Sequence, residues 1–320
     1  HARLIAKHFG TDHNELMAEP ATADLIPALA RQFDEPMVDS SMIPTYLLSR
    51  LVRQHCTVAL GGDGGDELFG GYTHYSHLLW MQEKLATFQN LFGYTSAWFA
   101  EKLIPVGFKG RNYLHSLGVK LDKGLPLVNN FFDLSLRRKL LRQYKNWNPS
   151  ADQIRRGRIP VHSDLLQRAT RMDFENYLTE DILVKVDRAS MLNSLEMRSP
   201  FLDYRVIEFA FRRVPSHLKA TSSNKKILLK RLTESILPPT FDRTRKQGFS
   251  IPLANWLHKG QFRELFWDVL TQNDGFFDRK TIRSILRLQD LGINNGERLN
   301  ETLMNRILKI QALKKILIWL

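Results

Sequence analysis

A single cysteine, Cys56, rules out an internal disulfide and any cysteine-rich zinc site, which suits a reducing cytoplasm. Nothing around it would activate a thiolate, so a buried structural thiol is the expectation. No uninterrupted apolar run reaches the roughly 18 residues that a membrane helix needs. The final stretch, Ile307 to Leu320, is interrupted by Lys309, Gln311, Lys314 and Lys315 and reads as an amphipathic helix. No secretory signal is visible, and there is no internal repeat or low-complexity tract. Zinc-finger spacing, an RNP-like aromatic stripe and a basic region feeding a zipper are all missing. The net charge of +13 therefore reads as a solvated basic face, serving in part a phosphate-rich small substrate. Nucleic-acid binding is the weaker alternative. The first residues, His1-Ala2-Arg3, run straight into a helix-like stretch without a methionine, so the chain is expected to be part of a longer one.

What is present is an ordinary globular balance of 43% hydrophobic and 25% charged residues over 320 positions, enough for a sizeable core. Ala2–Phe9 reads as a helix closed by Gly10, and His13–Met17 as a short strand. Ala23–Phe33 and Pro44–Gln54 carry helical apolar spacing. Thr57-Val58-Ala59-Leu60 reads as a short buried strand, followed at once by a glycine-rich loop. That order implies a parallel α/β sheet with a ligand at the carboxyl end of the strand. Beyond Thr73 helical periodicity dominates, over Ser163–Leu178, Thr179–Met197, Asn224–Ile236, Lys280–Gln289 and Glu297–Trp319. Pro105–Gly124 and Asn146–Pro160 read as looser connections.

The richest stretch is Gly61-Gly62-Asp63-Gly64-Gly65-Asp66-Glu67-Leu68-Phe69-Gly70-Gly71-Tyr72. Its glycines permit close backbone approach and positive φ. Phosphate loops usually carry a lysine and no acids, whereas this one holds three carboxylates. Such acids suit an anionic nucleotide when Mg²⁺ lies between them. A solvated acidic turn or a calcium loop is the plainer alternative, although the spacing does not match an EF-hand. Along Asp181–Arg198, a continuous helix would place Asp187, Met191, Ser194 and Arg198 on one face, with Lys185, Leu192 and Glu196 opposite. Charge on both faces predicts that one set is buried and paired, the plainest version being a network of Asp187, Arg188 and Arg198. Lys246 lies in a basic Gly-Phe turn, Arg245-Lys246-Gln247-Gly248-Phe249, where it could reach an anion.

Taken in order, these segments resemble the asparagine synthetases. The glycine-rich run is similar to that family's Ser-Gly-Glu-Gly-x-Asp-Glu-Leu-Phe-Gly-Gly-Tyr signature. Phe33-Asp34-Glu35-Pro36-Met37-Val38-Asp39-Ser40-Ser41 and Ile43-Pro44-Thr45-Tyr46 match upstream. Asp181 to Met191, Ser194 to Asp203, Arg245 to Phe249, Pro252, Trp256 and Trp319 match downstream. The resemblance implies an α/β fold, part of a PP-loop parallel sheet followed by a mostly helical C-terminal region. Residues 1–320 would form one domain fragment, with 1–72 the nucleotide-binding part and 73–320 the helical remainder.

It further implies an ATP-dependent carbon–nitrogen ligase that converts aspartate through a β-aspartyl-adenylate to asparagine. ATP and Mg²⁺ would be required, with ammonia from a glutaminase domain, and a homodimer is left open. By position, Asp66 would hold Mg²⁺, Lys246 the phosphates, and Gly61, Gly62 and Asp63 the acyl-adenylate. Asp63 would also help to accept the proton of ammonia. Tyr72 and Glu196 match a Tyr/Glu pair of the related β-lactam synthetases. Gly61 stands where many members have serine. The family's Ser-Gly-Gly-x-Asp-Ser pyrophosphate loop is not found in these 320 residues, so they are expected to be inactive alone. Two other readings stay open: a relative that forms a different amide or lactam, and a non-catalytic module that binds a partner through its basic face.

Overall fold

The computed structural model describes residues 1–17, 21–33, 39–104, 110–126, 140–141, 150–243, 251, 256, 259–271 and 277–290. The early elements follow local signals. Helix α1 (Ala2–Phe9) ends at Gly10, whose φ of 63° lets its N–H return to the Ala6 carbonyl. Helix α2 (Leu25–Gln32) tolerates Pro27 in its first turn, where no helical N–H bond is lost. Helix α3 (Met42–Val52) follows. The expected strand at His13–Met17 does not form, because no neighbouring strand pairs with it.

Strand β1 (Val58–Leu60) leads into the short helix α4 (Gly65–Phe69), and the 30-residue α5 (Thr73–Lys102) begins right after Tyr72. The stretches read as loose connections each contain a helix, α6 (Arg111–Ser116) and α7 (Ser150–Gly157). Next comes one long helical run. Helix α8 (Leu165–Met172) passes into a π-helical segment, Asp173–Ile182, and then α9 (Leu183–Met191). The Asp164 carboxylate caps α8 by accepting from Gln167 N at 2.8 Å.

The expected helix through Met197 stops short. Ser194 adopts a left-handed φ of 56°, and Glu196–Arg198 forms strand β2 instead. The two strands pair in parallel, Val58 opposite Glu196 and Leu60 opposite Arg198. Gly61 N donates to Arg198 O at 2.7 Å, which extends the ladder into the loop. The strand order β1-β2 joins residues from both sides of position 72 in a single sheet. Val58 and Leu60 are exposed, Leu60 at 72%, so β1 is not the buried strand its composition suggested. Only β2 pairs with it among the described residues, and its outward side chains are left uncovered.

A 3₁₀ turn (Pro200–Leu202) precedes α10 (Tyr204–Arg212), α11 (Ser216–Lys219) and α12 (Ile227–Ile236); α13 (Gln261–Thr271) and α14 (Arg279–Asp290) follow. Three apolar clusters hold these elements. Ile26, Leu29, Ile43, Phe266 and Ile282 join α2 and α3 to α13 and α14. Tyr75, Leu78, Met81, Leu117, Leu166 and Met172 join α5, α6 and α8. Leu68 and Phe69 pack on Ala210 and Val214, which anchors α4 on α10. Among the described residues no helix is long and apolar enough to cross a membrane. Cys56 is exposed rather than buried, its Sγ 3.7 Å from Val52 O at the frayed end of α3.

Candidate active site

The glycine-rich loop leaves the carboxyl end of β1. Gly64 takes a φ of 88°, which opens α4, and a Cβ there would lie 2.3 Å from Leu202 Cδ2. Gly70, with φ of 68°, closes α4 and reverses the chain toward Tyr72. Gly62 is exposed, and nothing lies within 4 Å of where its side chain would project. The backbone there is open to a ligand.

Asp63 and Asp66 point to different partners. Ser199, just beyond β2, donates its hydroxyl to Asp63 Oδ2 at 3.3 Å. A Cβ added to Gly61 would come within 2.9 Å of that same oxygen and 3.8 Å of the Ser199 hydroxyl. The carboxylate and hydroxyl therefore occupy the space over Gly61. Asp66 Oδ1 lies 2.8 Å from the ammonium of Lys226. Lys226 starts α12 in the left-handed region with φ of 53°, a costly conformation for a residue with a side chain. Gly71 makes room for the pair, since a Cβ there would sit 1.7 Å from Asp66 Oδ1 and 2.3 Å from Lys226 Cε.

Among the described residues no trio of His, Cys, Asp or Glu is gathered around a metal. Mg²⁺ on a nucleotide takes most of its ligands from water and phosphate and needs one or two carboxylates. Asp66 fits that donor set, with the Lys226 ammonium as its neighbour at 2.8 Å.

Glu67 points the other way, into the protein. Its carboxylate is 1% exposed and accepts the Tyr72 hydroxyl at 2.5 Å. Burial holds the Glu67 carboxyl above its ordinary range, opposed by the Tyr72 hydrogen bond. The Tyr72 phenol is raised by burial and by the charge of Glu67. Tyr72 stacks on His74, with ring centroids 5.3 Å apart, and meets the edge of Tyr177 on the π segment. His74 Nε2 lies 2.7 Å from Asp173 Oδ2.

The Tyr72/Glu196 pairing is not formed. Glu196 lies exposed on β2, and its carboxylate accepts from its neighbour Arg198 at 2.7 Å. Because the chain is a strand here, Asp187, Ser194 and Arg198 do not share a helix face, and no buried network joins Asp187 to Arg198: both are exposed. The paired charge on this segment is the partly buried Lys185 instead, whose ammonium lies 3.1 Å from Asp39 Oδ2 and donates to Ser41 Oγ at 3.0 Å. That contact joins the Asp39-Ser40-Ser41 segment to the Lys185–Met191 segment. Lys246, the residues Asp34 to Val38 and the expected helix Glu297–Trp319 lie outside the described residues. Sequence reading missed Glu67 as the Tyr72 partner, Lys226 as the Asp66 partner and Ser199 as the Asp63 partner. In the sequence Lys226 stands out only as one of two adjacent lysines, Lys225-Lys226.

The family model for asparagine synthase matches residues 1–315. The chain belongs to the asparagine synthase family. Asparagine synthetase [glutamine-hydrolyzing] 1 of Bacillus subtilis is 29% identical over 268 residues, covering 82% of this chain and 41% of that protein. A putative asparagine synthetase [glutamine-hydrolyzing] of Mycobacterium tuberculosis is 32% identical over 275 residues, covering 82% of this chain and 39% of its own. Asparagine synthetase [glutamine-hydrolyzing] 3 of B. subtilis is 24% identical over 270 residues. The chain thus spans about two fifths of the length of the curated relatives it matches. Membership of the asparagine synthase family agrees with the α/β architecture, here mostly helical with a small parallel sheet.

Proposed function

We propose that this chain forms the acyl-adenylate side of an ATP-dependent amide-forming site, with residues 1–320 acting as one domain. The observation that carries the reading is the convergence at the end of β1: the open backbone of Gly62, Asp63 held by Ser199 over Gly61, and Asp66 held beside Lys226. A carboxylic acid, aspartate by family likeness, attacks the α-phosphorus of ATP through a carboxylate oxygen and pyrophosphate leaves. Ammonia then attacks the acyl carbon, AMP departs with the bond electrons, and the amide remains.

Gly61 and Gly62 let the acyl-adenylate lie against the backbone, and Asp63 is placed to take the proton that ammonia loses. Lys246 and Lys226 counter charge that builds on the departing phosphates. Asp66 would hold Mg²⁺, which would supply charge neutralisation of the polyphosphate. Tyr72 is positioned by Glu67, and Glu196, on β2 opposite Val58, stays a catalytic candidate by family likeness alone. Ammonia would come from a glutaminase domain on the full-length protein, a reading supported by the relatives being named glutamine-hydrolyzing. The 320 residues alone are proposed to turn over little or not at all, since a second loop to hold pyrophosphate is not found among them.

The test is ATP–pyrophosphate exchange and AMP release by the full-length parent, with aspartate and glutamine as substrates. Acid-dependent exchange with asparagine as product is the expected result. ATP turnover that no carboxylic acid stimulates would sink the reading. Robust exchange by the isolated 320 residues would refute the half-site part of it.

A further inference from the structure

Helix α5 has two unlike faces. Tyr75, Leu78, Met81 and Ala100 are buried, and a Cβ on Gly93 would lie 2.3 Å from the Leu117 carbonyl oxygen. Those positions fix its inward side. At 100° per residue, Phe88, Leu91, Phe92, Trp98 and Phe99 fall on the outward side, with Tyr94 at its margin. All six are between 44% and 83% exposed. Phe88 and Phe92 pack along the stripe, their ring centroids 5.3 Å apart. The helix carries no charged residue from Leu85 to Ala100.

A fully covered aromatic side chain accounts for about 150–250 Å², so roughly 600 Å² of apolar surface lies open along this stripe. The largest patch on a soluble monomer is about 300–600 Å², and each side of a stable protein interface covers about 800 Å². The stripe supplies most of that area. Thr87, Asn90 and Thr95, all exposed beside it, supply polar surface of the kind found at an interface rim. The chemistry also selects the partner. Interface cores are rich in Phe, Tyr and Trp and poor in charge. Helices that lie on lipid border their apolar face with Lys and Arg, which this stretch lacks. A charged partner finds nothing to pair with here, whereas a second copy presents the same uncharged face.

We infer that α5 is a self-association surface: a second copy of the chain docks on it, the two α5 helices pairing antiparallel about a two-fold axis. A two-fold interface uses one patch twice, so a single stripe is sufficient. Thr95, the small residue in the middle of the aromatic stripe, lies at the axis. Leu91 then faces Phe99 of the partner subunit, and Phe92 faces Trp98 of the partner subunit. The inference is independent of the amide-forming reading.

Analytical ultracentrifugation of the full-length protein over a concentration series tests this. Wild type is expected to be a dimer at micromolar concentration. Leu91→Glu sets a carboxylate against an aromatic ring and should weaken dimerisation at least about thirtyfold, the scale of losing one central anchor. Its circular dichroism and urea unfolding should match wild type, because Leu91 is exposed in the single chain. Cys56 is exposed, so it is first replaced by serine. In that background Thr95→Cys should be joined to its own copy by a short bis-maleimide. A monomeric wild type, or a dimer indifferent to Leu91→Glu, would overturn the proposal. Thr95→Cys that neither cross-links nor reacts with maleimide would also overturn it, by showing that the face is covered within one full-length chain. So would a monomer that binds anionic phospholipid vesicles and loses that binding on Leu91→Glu.

Discussion

Lys219 offers the clearest quantitative test of the packing. Its side chain is fully buried at the end of α11, against Gly70 of the glycine-rich segment. The ammonium sits 4.8 Å from the ring centroid of Phe211, and the guanidinium of Arg171 lies 4.6 Å from that same centroid. Among the described residues no hydrogen-bond acceptor reaches Lys219 Nζ. Burial, with a smaller push from Arg171, pulls the ammonium down from 10.5 to about 8.

The folded state therefore releases this proton more readily than the unfolded chain, and stability rises with pH between about 8 and 10.5. Below pH 8 the shift costs about 3 kcal/mol, at roughly 1.4 kcal/mol per pH unit. The cation–π contact returns about 0.5–2 kcal/mol of that. Lys219→Met keeps the buried stem and removes the charge, so it should stabilise the protein by about 1–3 kcal/mol at pH 7. That advantage should shrink toward zero or reverse near pH 10.5. Urea unfolding followed by tryptophan fluorescence at pH 7 and pH 10 measures both. A variant less stable than wild type at pH 7, or a difference independent of pH, would refute the reasoning.

Glu67→Gln should behave in the opposite sense on the acid side. The Glu67 carboxyl is raised above 4.5, so wild type loses stability as pH climbs from about 4.5 through the raised value. The variant should be least disadvantaged at pH 8 and most at pH 4.5, as unfolding titrations at both would reveal. Gly71→Ala drives a methyl into Asp66 and Lys226; acid-dependent pyrophosphate exchange should fall at least about tenfold, at a cost of about 1–3 kcal/mol in stability. Ser199→Ala removes the donor to Asp63, with a stability cost of about 1 kcal/mol. Its kcat should fall while the KM for ATP stays the same. Gly61→Ser, which displaces Asp63, should lower kcat as well.

The elements that sequence made legible are those whose signals are local. Gly10 ends α1 where a left-handed cap is needed, and the glycines around Asp63 and Asp66 announce a tight loop after an apolar strand. Strand β2 was misread because Glu196-Met197-Arg198 continues a helical pattern and carries weak strand preference. Its conformation is set by pairing with β1 and by the left-handed turn at Ser194, which has neither glycine nor proline to mark it. The Glu67–Tyr72 bond was hidden for a related reason. A spacing of five is not a helical neighbour relation, and only the reversal at Gly70 brings the two together. Lys226 meets Asp66 through tertiary packing alone, which a run of basic residues cannot disclose.

The parallel pairing of β1 with β2 has a kinetic side. The α4 unit, from Gly64 to Tyr72, makes its turn and its Glu67–Tyr72 bond within a few residues, so it can organise early and locally. The partners Val58 and Glu196 are roughly 140 residues apart, and closing a flexible loop of that length costs about 4 kcal/mol of chain entropy. The Ser199–Asp63 contact and the placement of Glu196 depend on that closure. The loop side of the site can thus be in place well before the strand side arrives, and a lesion in any intervening helix would register first as a delay in completing the site.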